Sequence, residues 1–257
     1  MIMLTNAEIK KIRSLKDKKF RDEYGFFVVE GEKLVQEALN SDFEVVAVYR
    51  IEEIGEAAMA KISLTSSPSP VLAVVAMPGR EGGAVGRGGL TGNGGFGNMS
   101  EAAGEHGLPE GLSLALDSVR DPGNLGTIIR IADWFGVETV FVSSDTVEAY
   151  NPKVVQATMG SIFRVRVVEA SIPELCRAYK AAGKPVYGTL LDGGNIYDAE
   201  LGNEGLIVMG NESNGISQEV RRELSAGLLI PSFGKSGAES LNVGVATALT
   251  LSEFRRR

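Results

Sequence analysis

From residue 112 to residue 254 the chain alternates short apolar runs with longer segments whose apolar residues recur at helical spacing. A chain patterned this way is committed to strand–helix–strand units, whose strands run parallel and whose helices must cover both faces of the sheet. Strands are predicted at 112–116, 137–142, 165–168, 184–190 and 206–209. A last apolar run at 228–230 stops at Pro231, which has no N–H to offer a central ladder. Helices are predicted at 125–135 (with Ile128, Ile129, Ala132 and Phe135 inward), 151–159, 171–182, 217–224 and 243–251. The fold class is therefore α/β, a mostly parallel sheet with helices on both faces.

Ahead of this region lies a smaller α/β pattern. A strand is predicted at 25–30, then a helix through Leu34, Val35, Ala38 and Leu39, then strands at 43–49 and 71–76. This predicts a small α/β domain over 1–77 and a second domain over 111–257. Between them, 78–110 is glycine-rich and nearly free of branched apolar residues, the composition of a flexible linker or inserted surface loop. Residues 92–97 (GNGGFG) satisfy G-x-G-x-x-G, but no strand directly precedes them and no amphipathic helix follows closely, so a dinucleotide fingerprint is rejected. The sequon at Asn98 carries no meaning in a chain without a secretion signal.

Residues 10–21 hold seven basic residues, Lys10, Lys11, Arg13, Lys16, Lys18, Lys19 and Arg21, against one acid, Asp17. Such a segment either neutralises phosphates or is the solvated face of an amphipathic helix with Ile9, Ile12, Leu15 and Phe20 as its apolar stripe. The net charge of −7 argues against a generally nucleic-acid-adhesive protein but permits a local basic patch.

Composition narrows the chemistry. With 257 residues and 44% hydrophobic content, the chain suits one large or two smaller domains. No apolar run reaches the roughly 18 residues of a membrane span, and no apolar signal core opens the chain, so a cytoplasmic protein without membrane contact is expected. The single cysteine, Cys176, allows no internal disulfide and reads as a buried helix residue. The single histidine, His106, lies in the glycine-rich tract, which argues against a serine–histidine–acid triad and a histidine-ligated metal. No metal is expected, and proton chemistry falls to carboxylates, lysine, arginine, tyrosine or the substrate.

Three strand ends carry unusual polar residues: Asn124 and Arg130 after the first, Gly210 to Glu212 after a later one, Ser240 and Asn242 after the last. Carboxyl ends of parallel strands share one sheet edge, so the three loops can converge on a ligand. Each residue also has an ordinary reading. Asn124, Ser240 and Asn242 suit helix caps, Glu212 suits the first turn of the following helix, and Arg130 suits a solvated helix position.

The stretches DSVRDPGNLGTIIRIADWFG, LIVMGNESNGIS and IPSFGKSGAESLNVGVATAL occur in this order and resemble the three motifs of the SpoU/TrmH-type RNA ribose methyltransferases of the SPOUT superfamily. IRSLKDKKFRDEYGFFVVEGEKLVQEAL resembles the small RNA-substrate-binding domain that precedes many of them. The resemblance implies a C-terminal trefoil knot, which patterning would never suggest, a homodimer, and S-adenosylmethionine held in the knot. It implies methyl transfer to a ribose 2′-hydroxyl of rRNA, with tRNA as second choice. It carries cofactor binding onto Thr189, Gly210, Asn211, Ile230 and Leu241, and the active site onto Asn124, Arg130, Glu212, Ser240 and Asn242. A guanidinium keeps its proton at any working pH, so Arg130 is expected to clamp phosphate and alkoxide, with Glu212 orienting Arg130 or Asn124 and with Ser240 and Asn242 on the ribose. The loop at 234–239, holding Lys235 and Ser236, is longer than the family spacing. The competing readings are a catalytically inactive RNA-binding protein of the same fold and a nucleotide-dependent enzyme on an ordinary doubly wound sheet. The absence of a glycine fingerprint after the first strand of either domain opposes the latter.

Overall fold

The computed structural model describes residues 3–78, 107–234 and 239–256. Nearly all of the glycine-rich stretch, with GNGGFG, the Asn98 sequon and His106, lies outside the described residues, as do Lys235 and Ser236. The chain divides into two compact units. The first comprises the described residues of Met1–Gly95 together with Glu148–Arg164, and the second those of Phe96–Val147 together with Val165–Arg257.

In the first unit α1 (Asn6–Ser14) starts at a capping box: Thr5 accepts from Glu8 N at 3.2 Å, and the Glu8 carboxylate accepts from Thr5 N at 2.7 Å. Helix α2 (Lys18–Tyr24) follows and ends at Gly25 in the left-handed region, φ 71°. The basic stretch is therefore two helices and not the single one that its spacing suggests. The break has a physical cause. The Arg21 guanidinium donates to Leu15 O and Lys16 O, both at 2.7 Å, and so satisfies carbonyls that the end of α1 leaves open. Strand β1 (Phe26–Glu30), α3 (Glu32–Leu39), β2 (Val45–Arg50), α4 (Ile51–Ile54), α5 (Glu56–Ile62) and β3 (Val71–Ala76) complete this part, with antiparallel order β1-β3-β2. Its core closes on Ile12, Leu15, Val28, Met59, Ile62 and Leu72. Helices α4 and α5 are absent from the sequence reading; with 4 and 7 residues they span only about one and two turns, too few for an apolar repeat to stand out. The helix Pro152–Thr158 belongs to this unit, where Phe27 packs on Tyr150 at 4.7 Å between ring centres.

The second unit is built from β4 (Leu112–Leu116), α6 (Pro122–Trp134), β5 (Thr139–Val142), β6 (Arg166–Glu169), α8 (Ile172–Ala181), β7 (Val186–Asn195), β8 (Gly205–Met209), α9 (Gln218–Arg221), β9 (Ala226–Leu229) and α10 (Val243–Arg255), the first unit's helix at 152–158 being α7 in chain order. Its six strands run β6-β5-β4-β8-β7-β9, every neighbouring pair parallel. Helices α8 and α9 close a core with Ala115, Phe141, Val168, Leu206 and Val208 from one side of the sheet. Cys176 lies fully buried in this core, as expected, and burial pushes its thiol up to about 12, so it is unreactive at neutral pH. Three element lengths differ from the sequence reading. Helix α9 ends early, because Glu223 is drawn to Lys180 and Arg177 and Ser225 N donates to Val186 O at 2.7 Å, which turns the chain into β9. Helix α10 runs on to Arg255. Strand β7 runs on to Asn195 with an arch, since Leu228 pairs with both Thr189 and Gly194.

Candidate active site

Helices α6 and α10, 13 residues each, lie side by side and parallel, pinned at both ends. At the carboxyl-terminal end the Arg255 guanidinium donates to Phe135 O at 2.9 Å and Gly136 O at 3.1 Å, carbonyls that α6 cannot satisfy itself. At the amino-terminal end Asn242 Nδ2 donates to Asn124 Oδ1 at 2.9 Å. Close approach near this end depends on Gly244, where a Cβ would meet Thr127 Cγ2 at 3.2 Å.

The two asparagines have different local duties. Asp121, and not Asn124, caps α6, accepting from Asn124 N at 2.8 Å with Pro122 in the first turn. The Asp-Pro pair is the sequence signal that identifies this cap. Asn124 is thereby freed, and its Nδ2 donates to Glu212 Oε1 at 2.7 Å. Asn242 does cap α10, its Oδ1 accepting from Gly244 N at 3.0 Å and Val245 N at 3.3 Å. The result is a directional chain, Asn242 to Asn124 to Glu212, in which each amide spends its N–H on the next acceptor.

Glu212 is not in the first turn of α9. It sits in a tight turn closed by the Asn211–Gly215 bridge. Asn211 Oδ1 accepts from Ser213 N at 2.9 Å and Asn214 N at 3.0 Å, while its Nδ2 donates to Ser118 O at 2.7 Å. Gly210 admits no side chain, because a Cβ there would overlap the Gly215 carbonyl carbon and Ile216 N.

This turn forms one wall of a cavity of about 810 Å³ at the carboxyl ends of β7, β8 and β9. Thr189, Gly210, Asn211, Ile230 and Leu241, the residues named for cofactor contact, all line it, and so do Glu212 and Ser240. Asn124, Asn242 and Arg130 are not among its lining residues; the first two reach its wall through Glu212. Arg130 is exposed and makes no hydrogen bond or ion pair to a described residue; the Glu212 carboxylate accepts from Asn124 at 2.7 Å and, at 3.5 Å, from Asn211 Nδ2. The sequence reading missed the lining residues Asp192, Gln218, Arg221 and Glu239. Asp192 and Arg221 form an ion pair whose partners come from separate elements, which no spacing rule connects.

In the basic segment Lys10, Lys11, Arg13, Lys16, Lys18 and Lys19 are exposed, and the Lys11 ammonium lies 5.1 Å from the centre of the Tyr24 ring. Arg21 corrects the sequence reading. Its side chain is 2% exposed and paired with Glu148, so, unlike the other six, it is held inside the fold.

A large, mixed polar and apolar cavity at the carboxyl edge of a parallel sheet, beside a fixed amide–carboxylate chain, defines an α/β enzyme site for a sizeable cofactor. The comparisons agree. The family model described as the SpoU rRNA Methylase family matches residues 111–252, and one described as an MRM3-like substrate binding domain matches residues 6–54. The Bacillus subtilis 23S rRNA (guanosine(2553)-2′-O)-methyltransferase RlmP is 31% identical over 97% of this chain and 96% of its own length. A TrmH-family structure from Porphyromonas gingivalis superposes with a TM-score of 0.81 at 35% identity, covering 100% of both chains. An AdoMet-bound rRNA methyltransferase from Sinorhizobium meliloti superposes at 0.80 with 30% identity, over 99% of this chain and 97% of that one. The chain spans about half the length of some other curated relatives that it matches. The chain belongs to the SpoU rRNA Methylase family.

Proposed function

We propose that the protein transfers a methyl group from S-adenosylmethionine to a ribose 2′-hydroxyl of large-subunit rRNA. The observation that carries this reading is the Asn242–Asn124–Glu212 chain at the wall of the cavity, in a member of this family. The cavity suits the cofactor: its volume lies within the range of roughly 300–1,000 Å³ usual for such sites, its lining mixes Leu228, Ile230, Leu241 and Val243 with polar groups, and Gly210 keeps one wall bare. Thr189, Gly210, Asn211, Ile230 and Leu241 would hold it. When bound, it supplies an already activated sulfonium methyl.

The chain's own residues then have to align the acceptor hydroxyl and help remove its proton. Ser240 and Asn242 position the ribose, and alignment of this kind accounts for several kcal/mol of a barrier. Glu212 fixes the Asn124 amide. Arg130, exposed and unpaired among the described residues, clamps the RNA phosphate and the developing alkoxide, and the proton leaves to that phosphate or to water. RNA is met by the exposed basic residues of α1 and α2, within a small domain at 1–77 joined through 78–110 to the methylase domain at 111–257. Membership of the family supports a knotted C-terminal crossing. Trp134, Val245 and Leu249, 84%, 49% and 40% exposed on α6 and α10, support a homodimer face there. Among the described residues no helix is long and apolar enough to cross a membrane; the likeness to a bacterial 23S rRNA methyltransferase supports a cytoplasmic enzyme. The non-catalytic alternative has no observation in its favour, since all five polar residues are present and Asn242, Asn124 and Glu212 are hydrogen-bonded in sequence.

The test is methyl transfer from labelled S-adenosylmethionine to unmodified rRNA and tRNA offered separately, wild type beside Asn124→Ala and Arg130→Ala. Label on a ribose 2′-oxygen of rRNA, lost in both variants, is expected. Label on a base would overturn the ribose assignment, and label on tRNA alone would overturn the substrate class.

A further inference from the structure

The loop between β4 and α6 is fastened far more heavily than a connection needs. Ser118 is a non-glycine residue in the left-handed region, φ 65°, a conformation that persists only where surrounding contacts over-determine it. Those contacts converge on Asp145, beyond the end of β5. Asp145 Oδ2 accepts from Ser118 Oγ at 2.6 Å and from Arg120 Nη2 at 3.0 Å, and Oδ1 accepts from Ser143 Oγ at 2.7 Å. Ser143 Oγ also accepts from Ser118 N at 2.8 Å. On the other side, the loop is tied to the site turn by Asn211 Nδ2 on Ser118 O. These bonds hold the Asp145 carboxyl down to about 2, so it stays ionised at any working pH.

What this bracing holds in place is a guanidinium. Arg120 spends one N–H on Asp145, its side chain is 67% exposed, and it stands four residues before Asn124 at the same sheet edge. An arginine with one donor anchored and the rest open is suited to a phosphate. The chain is acidic overall, so a polyanion approaching this edge needs fixed local cations. Among the described residues at this edge, Arg221 is turned to Asp192 in the cavity lining, while Arg120 and Arg130 are exposed with donors open to solvent. We propose that Arg120, braced by Asp145, is a positioning residue that anchors a backbone phosphate of the RNA beside the nucleotide to be methylated. This rests on the methyltransferase reading above.

The experiment compares wild type, Arg120→Ala, Arg120→Lys and Asp145→Asn. The probe is unmodified 23S rRNA transcript, followed by steady-state methyl transfer and by equilibrium binding across a salt series. For Arg120→Ala the expected result is an RNA KM raised about tenfold with kcat within about twofold. The slope of log affinity against log salt should become shallower by roughly 0.7–0.9, the share of one phosphate contact. Arg120→Lys should restore the slope but only part of the KM, and Asp145→Asn should fall between. S-adenosylmethionine affinity measured without RNA should be unchanged in all three. An unchanged salt slope, or a loss of kcat at constant KM, overturns the proposal. If wild type methylates no RNA, the methyltransferase reading fails by itself, and the salt slope of RNA binding still decides whether Arg120 meets a phosphate.

Discussion

Asn242 donates to Asn124 Oδ1 at 2.9 Å while its own Oδ1 caps α10, so one side chain both starts a helix and orients a neighbour in the site. The two duties can be separated. Asn242→Asp keeps an acceptor for Gly244 N and Val245 N but loses the donor. Thermal stability should barely move, while turnover should fall about 10- to 100-fold, the usual effect of removing an orienting partner. Asn242→Ala should add a loss of about 1 kcal/mol in stability from the missing cap. Unfolding curves beside single-turnover methyl transfer read the two effects separately.

Arg130 is exposed and unbonded to described residues, so Arg130→Ala should leave stability within about 0.5 kcal/mol. Turnover should fall by roughly 10²–10³ if the guanidinium meets developing charge. Near-normal turnover in Arg130→Lys would refute a bidentate clamp.

Gly210→Ala places a methyl against the backbone of Gly215 and Ile216, which cannot yield as a flexible side chain would. A cost of about 1–3 kcal/mol is expected. Because the displaced turn carries Asn211 and Glu212, titration calorimetry should show S-adenosylmethionine affinity reduced at least about tenfold.

Arg21→Ala removes one partner of a buried pair and leaves Glu148, 8% exposed, without its cation. A loss of about 3–5 kcal/mol is expected, read as a fall in the unfolding midpoint. Lys16→Ala, on the surface of the same segment, should stay within about 0.5 kcal/mol.

Asp145 gives a pH signature. Its folded-state pKa, about 2, lies below the ordinary value of 3.8, so its contribution is present above pH 4 and is lost as pH falls from about 4 through about 2. The side chain is 50% exposed, so solvent screening keeps the effect small. Asp145→Asn should flatten the acid limb of the stability curve, measured by denaturant unfolding at pH 2 to 6.

The alternation of apolar runs with helical spacing was enough to dictate a parallel α/β sheet, because each element must bury its own apolar face locally. The three polar strand ends were legible for the same reason, since parallel strands put their carboxyl ends on one edge. All five residues named for the cofactor line a single cavity at that edge. Tertiary structure alone decided the strand order β6-β5-β4-β8-β7-β9, the place of Glu148–Arg164 in the first unit, and the burial of Arg21. It also decided that Asp121 caps α6, so that Asn124 reaches Glu212, 88 residues away. Periodicity reports which side of an element is buried. Which distant group completes a side chain's hydrogen bonds depends on where the packed elements bring their ends together, and the chain settles that only when it closes.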